Sequence, residues 1–192
     1  LFNIGAQGQF IMGAIAASYV GFNFEFSPII HVSLALIAGV IASGVYGGIV
    51  GLLKAKTGAH EVIVTIMLNY IASFFILWIL KTKTFLRPNS INPIAPEIKR
   101  SAELPLIFGA DLRIHLGLLI AFVVSAIIWW LLNSSTLGFK FRAVGANANA
   151  AKTAGISTAK VAFTTMFICG ALAGLGGAVH VLGVNHALTA DI

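Results

Sequence analysis

Four polar side chains at a spacing of four, Glu61, Thr65, Asn69 and Ser73, interrupt an apolar stretch. On a helix that spacing puts them on one gently drifting face, opposite Ile63, Met67, Ile71, Phe74 and Trp78. Their carboxylate, hydroxyl and amide groups can hydrogen-bond a polar solute. A polar stripe inside a membrane span faces protein or a pore rather than lipid. It can equally serve helix packing, where each contact contributes typically below about 1 kcal/mol. Glu61 would also suit the positive end of its own helix dipole. A second cluster is Asn3-Ile4-Gly5-Ala6-Gln7-Gly8-Gln9, with three amides and two glycines just before a short apolar run. Glycine lets the backbone leave helical geometry, and irregular backbone at membrane depth survives only where protein or a water-filled cavity covers it. Transporters place broken helices of this kind at their solute sites. The other reading is an interfacial helix start with polar caps. Read as a solute path, the candidates are Asn3, Gln7, Gln9, Glu61, Thr65 and Asn69.

Bond-breaking chemistry finds less support. The histidines (His31, His60, His115, His180, His186) are scattered, and Cys169 is the lone cysteine. No Cys/His spacing resembles a zinc site, so no metal ligands are assigned. His180 with His186, or His115 near Asp111, could form an acid/base pair, and a membrane enzyme using His115 or His180 is the alternative class. The Lys152-Thr153 pair does not belong to a phosphate-binding loop, because Ala151 stands where that loop needs glycine.

The elements that must position these groups are membrane spans. The 192 residues are 58% hydrophobic and 9% charged, far below the quarter or so typical of soluble domains. A span takes roughly 20 apolar residues. Pro28–Leu53, Val62–Leu80, His115–Leu132 and Val161–Val184 qualify, while Phe10–Val20 is a half-helix or a helix that has lost its beginning. The expected fold is therefore all-α: a polytopic transmembrane helical bundle of four full spans and one half-helix. The chain, 1–192, reads as one membrane domain cut at both ends. Gly21–Ser27 is a tight turn and Lys54–His60 a short basic loop. Residues 81–112, with Pro88, Pro93, Pro96 and Pro105, form an extramembrane cap, and 133–160 a basic loop without an acidic residue.

The net charge of +6 reflects Lys and Arg in such loops. No basic, aromatic-interleaved patch points to nucleic acid, and the expected surroundings are membrane lipid. Sidedness stays open on the positive-inside rule. Lys54, Lys56, Lys140, Arg142, Lys152 and Lys160 on one side tie with Lys81, Lys83, Arg87, Lys99, Arg100 and Arg113 on the other.

Glycine pairs at spacing four, Gly44 with Gly48, Gly47 with Gly51 and Gly170 with Gly174, permit close helix approach. Within the basic loop, Gly145-Ala146-Asn147-Ala148-Asn149-Ala150-Ala151-Lys152-Thr153-Ala154-Gly155 reads as a short alanine-rich helix stopped by Gly155. A small smooth helix of this kind suits docking in a partner's groove.

Three stretches, Phe2–Gln9, Thr57–Ala72 and Leu137–Asn147, resemble bacterial ABC importer permeases of the group handling branched-chain amino acids and simple sugars. The first two are most similar to permeases of nucleoside importers served by basic-membrane-protein lipoproteins. The likeness runs over nearly the whole chain with the order of motifs kept. It implies that 145–155 is a coupling helix docking on a cytoplasmic ATPase subunit, with Gly145 to Lys152 and Gly155 at the contact. ATP and Mg would then sit on that partner, with no cofactor on this chain. It implies that 54–60 and 133–160 are cytoplasmic and that 81–112 faces outward. It also implies a substrate-binding lipoprotein, a second permease subunit (the same or different), and a place in the bacterial plasma membrane. The cargo would be nucleosides or a related sugar-containing solute, with simple sugars or branched-chain amino acids as the alternative. The chain departs from the family pattern at Gln7, where the nucleoside branch commonly has Glu, and at Ala148-Asn149, where the coupling segment commonly has Pro-Glu.

Overall fold

Pro28 opens the longest helix of the protein. Its missing N–H costs nothing at a first helical position, and nothing breaks the apolar run behind it. In the computed structural model, which describes residues 2–88, 90, 92–107 and 115–192, seven α-helices follow one another. They are α1 (Ala6–Asn23), α2 (Pro28–Thr57), α3 (Glu61–Ile79), α4 (Gly117–Ser134), α5 (Thr136–Ala146), α6 (Ala148–Thr153) and α7 (Thr158–His180). A π-helical turn, Val181–Asn185, continues α7, and a 3-10 turn, Arg100–Ala102, lies in the long loop. The described residues contain no strand, only an isolated bridge between Leu106 and His115. Helices α2, α3, α4 and α7 with its π turn are long and apolar enough to cross a membrane, as the apolar runs predict.

Helix α1 has 18 residues, more than its apolar run. It nevertheless occupies only half the length of the bundle. Near its start, the Gln9 carbonyl meets Ser43, midway along α2. Near its end, the Val20 carbonyl meets His31, in the first turn of α2. Helix α1 therefore starts in the middle of the bundle and runs to the end covered by the long loop.

The core is the seam where α1, α2 and α7 meet. Helices α2 and α7 run antiparallel in a four-residue register: Gly39 against Ala178, Ser43 against Gly174, and Gly47 against Gly170. A Cβ at Gly47 would lie 2.6 Å from the Met166 carbonyl oxygen, and one at Gly51 would lie 2.6 Å from the Phe163 Cα. Gly13 of α1 backs directly onto Gly174. Gly44 and Gly48 pack differently: they form hollows for the Phe167 and Phe163 rings rather than touching the backbone of α7. On α3, the face carrying Ile63, Met67, Ile71, Phe74 and Trp78 is 56–69% exposed. Large apolar side chains exposed to that degree form a face that no other described residue covers.

The loop boundaries need two corrections. Lys54 and Lys56 lie in the last turn of α2, not in a loop, and Gly58 (φ +71°) ends the helix at its C-cap. The apolar run stops at Leu53, but lysine propagates a helix well and suits its negative end. In 133–160, α5 and α6 replace the open loop, so Gly145 and Ala146 close α5 and only Ala148–Thr153 form the short helix. The break falls at Asn147, whose side chain accepts hydrogen bonds from Asn149 N and Ala150 N (3.0 and 3.1 Å), an N-cap that starts a new helix. Gly155 (φ +80°) ends it, as expected.

The described part of 81–112 folds onto one end of the bundle. The Ala95, Ile98 and Leu104 amides donate to the Leu188, His186 and Leu182 carbonyls, and Lys99 N donates to Gly21 O. Phe85, Ala95, Ile98, Ala102 and Leu104 join the core cluster there. His31, fully buried, donates from Nε2 to Val20 O (3.0 Å) and meets the Ser101 hydroxyl with Nδ1 (2.8 Å). Arg113 and Asp111 lie outside the described residues.

Candidate functional site

A helix leaves its first N–H groups without partners. Where α1 begins, in the middle of the bundle, neighbouring side chains supply some of them. Asn3 Oδ1 accepts from Gly5 N at 2.9 Å, and Asn69 Oδ1, reaching across from α3, accepts from Gly8 N at 2.9 Å. Asn69 Nδ2 donates in turn to Ile4 O at 3.0 Å. One amide thus holds the chain on both sides of the point where it becomes helical. Asn3 and Gln9 pair through their amides, Nδ2 to Oε1 at 2.9 Å and Nε2 to Oδ1 at 3.3 Å. Below them the Ser43 hydroxyl lies 2.6 Å from both Gln9 O and Gly170 O, and shares its single proton between them.

The six path candidates therefore separate. Asn3, Gln9 and Asn69 converge on the start of α1. Gln9 is 1% exposed and its side chain lies against Gly47. Thr65 is fully buried, donates to the Glu61 and Val62 carbonyls of its own helix, and packs beside Gly5. Glu61 is ion-paired with Lys54 across the α2–α3 turn, away from the cluster. Gln7 is exposed, beside the exposed Ile4 and Ala6. The stripe of α3 mainly packs: Ser73 Oγ also donates back, to Asn69 O at 3.0 Å.

Ser43 and His31 were not singled out from the sequence. Ser43 had a signal, since it continues the row Gly39, Gly47 and Gly51 at spacing four. His31 had none beyond being a polar residue in an apolar run. The histidines of the alternative class are engaged elsewhere. His115 Nδ1 accepts from Gly117 N at 3.1 Å, and the His180 ring packs on Phe10 with centroids 5.7 Å apart. Asp111, the partner proposed for His115, lies outside the described residues. Among the described residues no group of three His, Cys, Asp or Glu could hold a metal.

The amides of Asn3, Gln9 and Asn69 are bonded to one another and to the start of α1, and Gln7 alone of the four is exposed. At the opposite end of the bundle from the long loop, α5 and α6 offer a surface without acidic residues. Transporters are among the multi-pass bundles that have helices starting inside them. The comparisons agree. The family described as "Branched-chain amino acid transport system / permease component" matches residues 1–191, and the chain belongs to that family. It is 42% identical to the guanosine ABC transporter permease protein NupP of Bacillus subtilis, over 95% of this chain and 53% of the relative. It is 35% identical to the nucleoside ABC transporter permease protein NupB of Lactococcus lactis, over 95% of this chain and 52% of the relative. It is 29% identical to the glucose ABC transporter permease protein TsgB13 of Haloferax volcanii, over 95% of this chain and 50% of the relative. The chain spans about half the length of these curated relatives. No solved structure matches it.

Proposed function

We propose that this chain is part of the permease subunit of an ATP-driven importer that moves nucleosides, or a related sugar-containing solute, across the bacterial plasma membrane. The observation that carries the reading is the start of α1 within the bundle, with Asn3, Asn69 and Gln9 ordering it and Gln7 facing outward. A nucleoside offers neutral hydroxyls and base edges, which amides satisfy as donors and acceptors. The likeness to permeases named for guanosine and nucleosides supports this cargo.

In this reading 133–160 and the α2–α3 turn face the cytoplasm and 81–112 faces outward, where a substrate-binding lipoprotein delivers solute. The end of α5 and all of α6, Gly145 to Lys152 with Gly155, dock on the ATPase subunit that holds ATP and Mg. A second permease subunit completes the path. ATP drives the cycle only through its different affinity for the two states of the assembly. Motion of α6 reaches α1 through α7, whose Gly170 carbonyl shares the Ser43 proton with Gln9 O.

Uptake of labelled guanosine and uridine by cells with and without the full-length gene tests the cargo. Loss of uptake on deletion is expected, and unchanged uptake would refute the proposal. A simple sugar is the second reading, favoured by the likeness to the glucose permease. Glucose or ribose uptake lost in the same deletion, with nucleoside uptake intact, would select it.

A further inference from the structure

We infer that the groove between α5 and the first turns of α7 binds the headgroup of an anionic phospholipid, held by Lys140 and Lys160. The groove measures about 320 Å³, with Leu137, Phe141, Ile156 and Val161 among its lining residues and both lysines on it. Its level along the bundle is set by charge. The first ionic side chains met beyond the spans at this end are Lys54 closing α2, Glu61 opening α3, Lys140 after α4 and Lys160 in the first turn of α7. That is where hydrocarbon gives way to headgroups. Leu137 and Phe139 are 41% and 60% exposed on α5 beside Lys140 and Arg142, the mixture of apolar and cationic groups that sits in the membrane interface.

The charge has no internal counterpart. Residues 133–160 contain no acidic side chain. Among the described residues neither Lys140 nor Lys160 forms an ion pair. A ligand with a phosphate at one end and hydrocarbon at the other satisfies both halves of the groove: the lysines take the phosphate, and the apolar walls take the glycerol and the first methylenes. Free phosphate would leave the apolar walls unmatched. A protein partner would have to cover Leu137 and Phe139 at the level where lipid already lies. The site would tether the α4–α5 bend, and with it the segment leading to α6, to the membrane surface. The inference rests on the membrane-spanning reading and is independent of the cargo.

The test is native mass spectrometry of the full-length permease with its partner subunits, equilibrated with equal phosphatidylglycerol and phosphatidylcholine. Wild type and Lys56→Gln, which changes an exposed cation in the last turn of α2, should retain phosphatidylglycerol preferentially. The double variant Lys140→Gln/Lys160→Gln should lose that preference by about thirtyfold, from two cations near a membrane surface. An excess of inorganic phosphate should not displace the lipid. An unchanged preference in the double variant, an equal loss in Lys56→Gln, or displacement by phosphate would overturn the assignment. So would loss of the ATPase subunit with lipid retention intact, which would make the groove a protein contact. Nucleoside uptake does not enter the readout, so failure of the cargo reading leaves this result standing.

Discussion

Asn69 of α3 caps α1 from another helix: its Oδ1 accepts from Gly8 N at 2.9 Å and its Nδ2 donates to Ile4 O at 3.0 Å. The side chain thereby positions the segment where α1 becomes helical. Asn69→Leu leaves the part-buried Gly8 N–H unpaired, at about 1–3 kcal/mol, and frees the more exposed Ile4 carbonyl to water at a smaller cost. Asn69→Asp keeps the acceptor for Gly8 and loses the donor to Ile4. Thermal melts of the detergent-solubilised full-length protein should rank wild type above N69D and N69D above N69L. Transport should fall with a larger change in maximal rate than in KM, as expected of a positioning residue.

The α2–α7 seam predicts a graded response to added volume. At Gly47 a Cβ meets backbone, 2.6 Å from the Met166 carbonyl oxygen, whereas at Gly48 it meets the Phe163 ring at 3.0 Å, which can shift. Gly47→Val should destabilise by about 1–3 kcal/mol and lower the yield of folded protein. Gly48→Ala should lie close to wild type, as fluorescence-detected size exclusion would record. An equal loss in both would contradict the register.

Asn147 separates α5 from α6. Asn147→Ala removes both bonds of the N-cap, at about 1 kcal/mol, and frays a six-residue helix. If α6 couples to the ATPase, stimulated ATP hydrolysis in the assembled importer should drop while the melting temperature of the permease hardly moves. Asn147→Asp, which keeps the accepting oxygen, should restore coupling. Full coupling in Asn147→Ala would remove α6 from the mechanism.

Acid should loosen the cap formed by the described part of 81–112. The Lys99 ammonium, hydrogen-bonded to the Glu25 carboxylate at 2.9 Å, holds the pKa of that carboxyl below its ordinary value. A depressed folded pKa gives stability that is present above the unfolded pKa and is lost as pH falls through the folded one. The pair is exposed, so the effect is small and screened by salt. Hydrogen exchange at Ile98 and Lys99 should rise more on acidification in wild type than in Glu25→Gln. Identical profiles would show that the pair does not hold the cap.

What the sequence could and could not reveal follows from which groups make the contacts. The spans, the exposed apolar face of α3 and the stop at Gly155 are written in side-chain polarity and in glycine placement. The end of α2 was not, because Lys54 and Lys56 stay helical while leaving the apolar run. Nor was the attachment of 81–112, because Ala95, Ile98 and Leu104 bind through backbone amides that carry no side-chain signal. The amide cluster was found as a set, yet its roles were not. Only the fold shows Gln9 buried, Asn69 capping α1 and Gln7 turned outward.

The central claim is that solute passes the start of α1. It is tested most directly by placing a cysteine at Gln7 in the otherwise cysteine-free full-length importer, with Cys169→Ser, and labelling it with a water-soluble thiol reagent. Labelling of Gln7→Cys should be slowed several-fold by guanosine and left unchanged by a solute that is not transported. Labelling that guanosine does not affect, in an importer that still takes up guanosine, would contradict it.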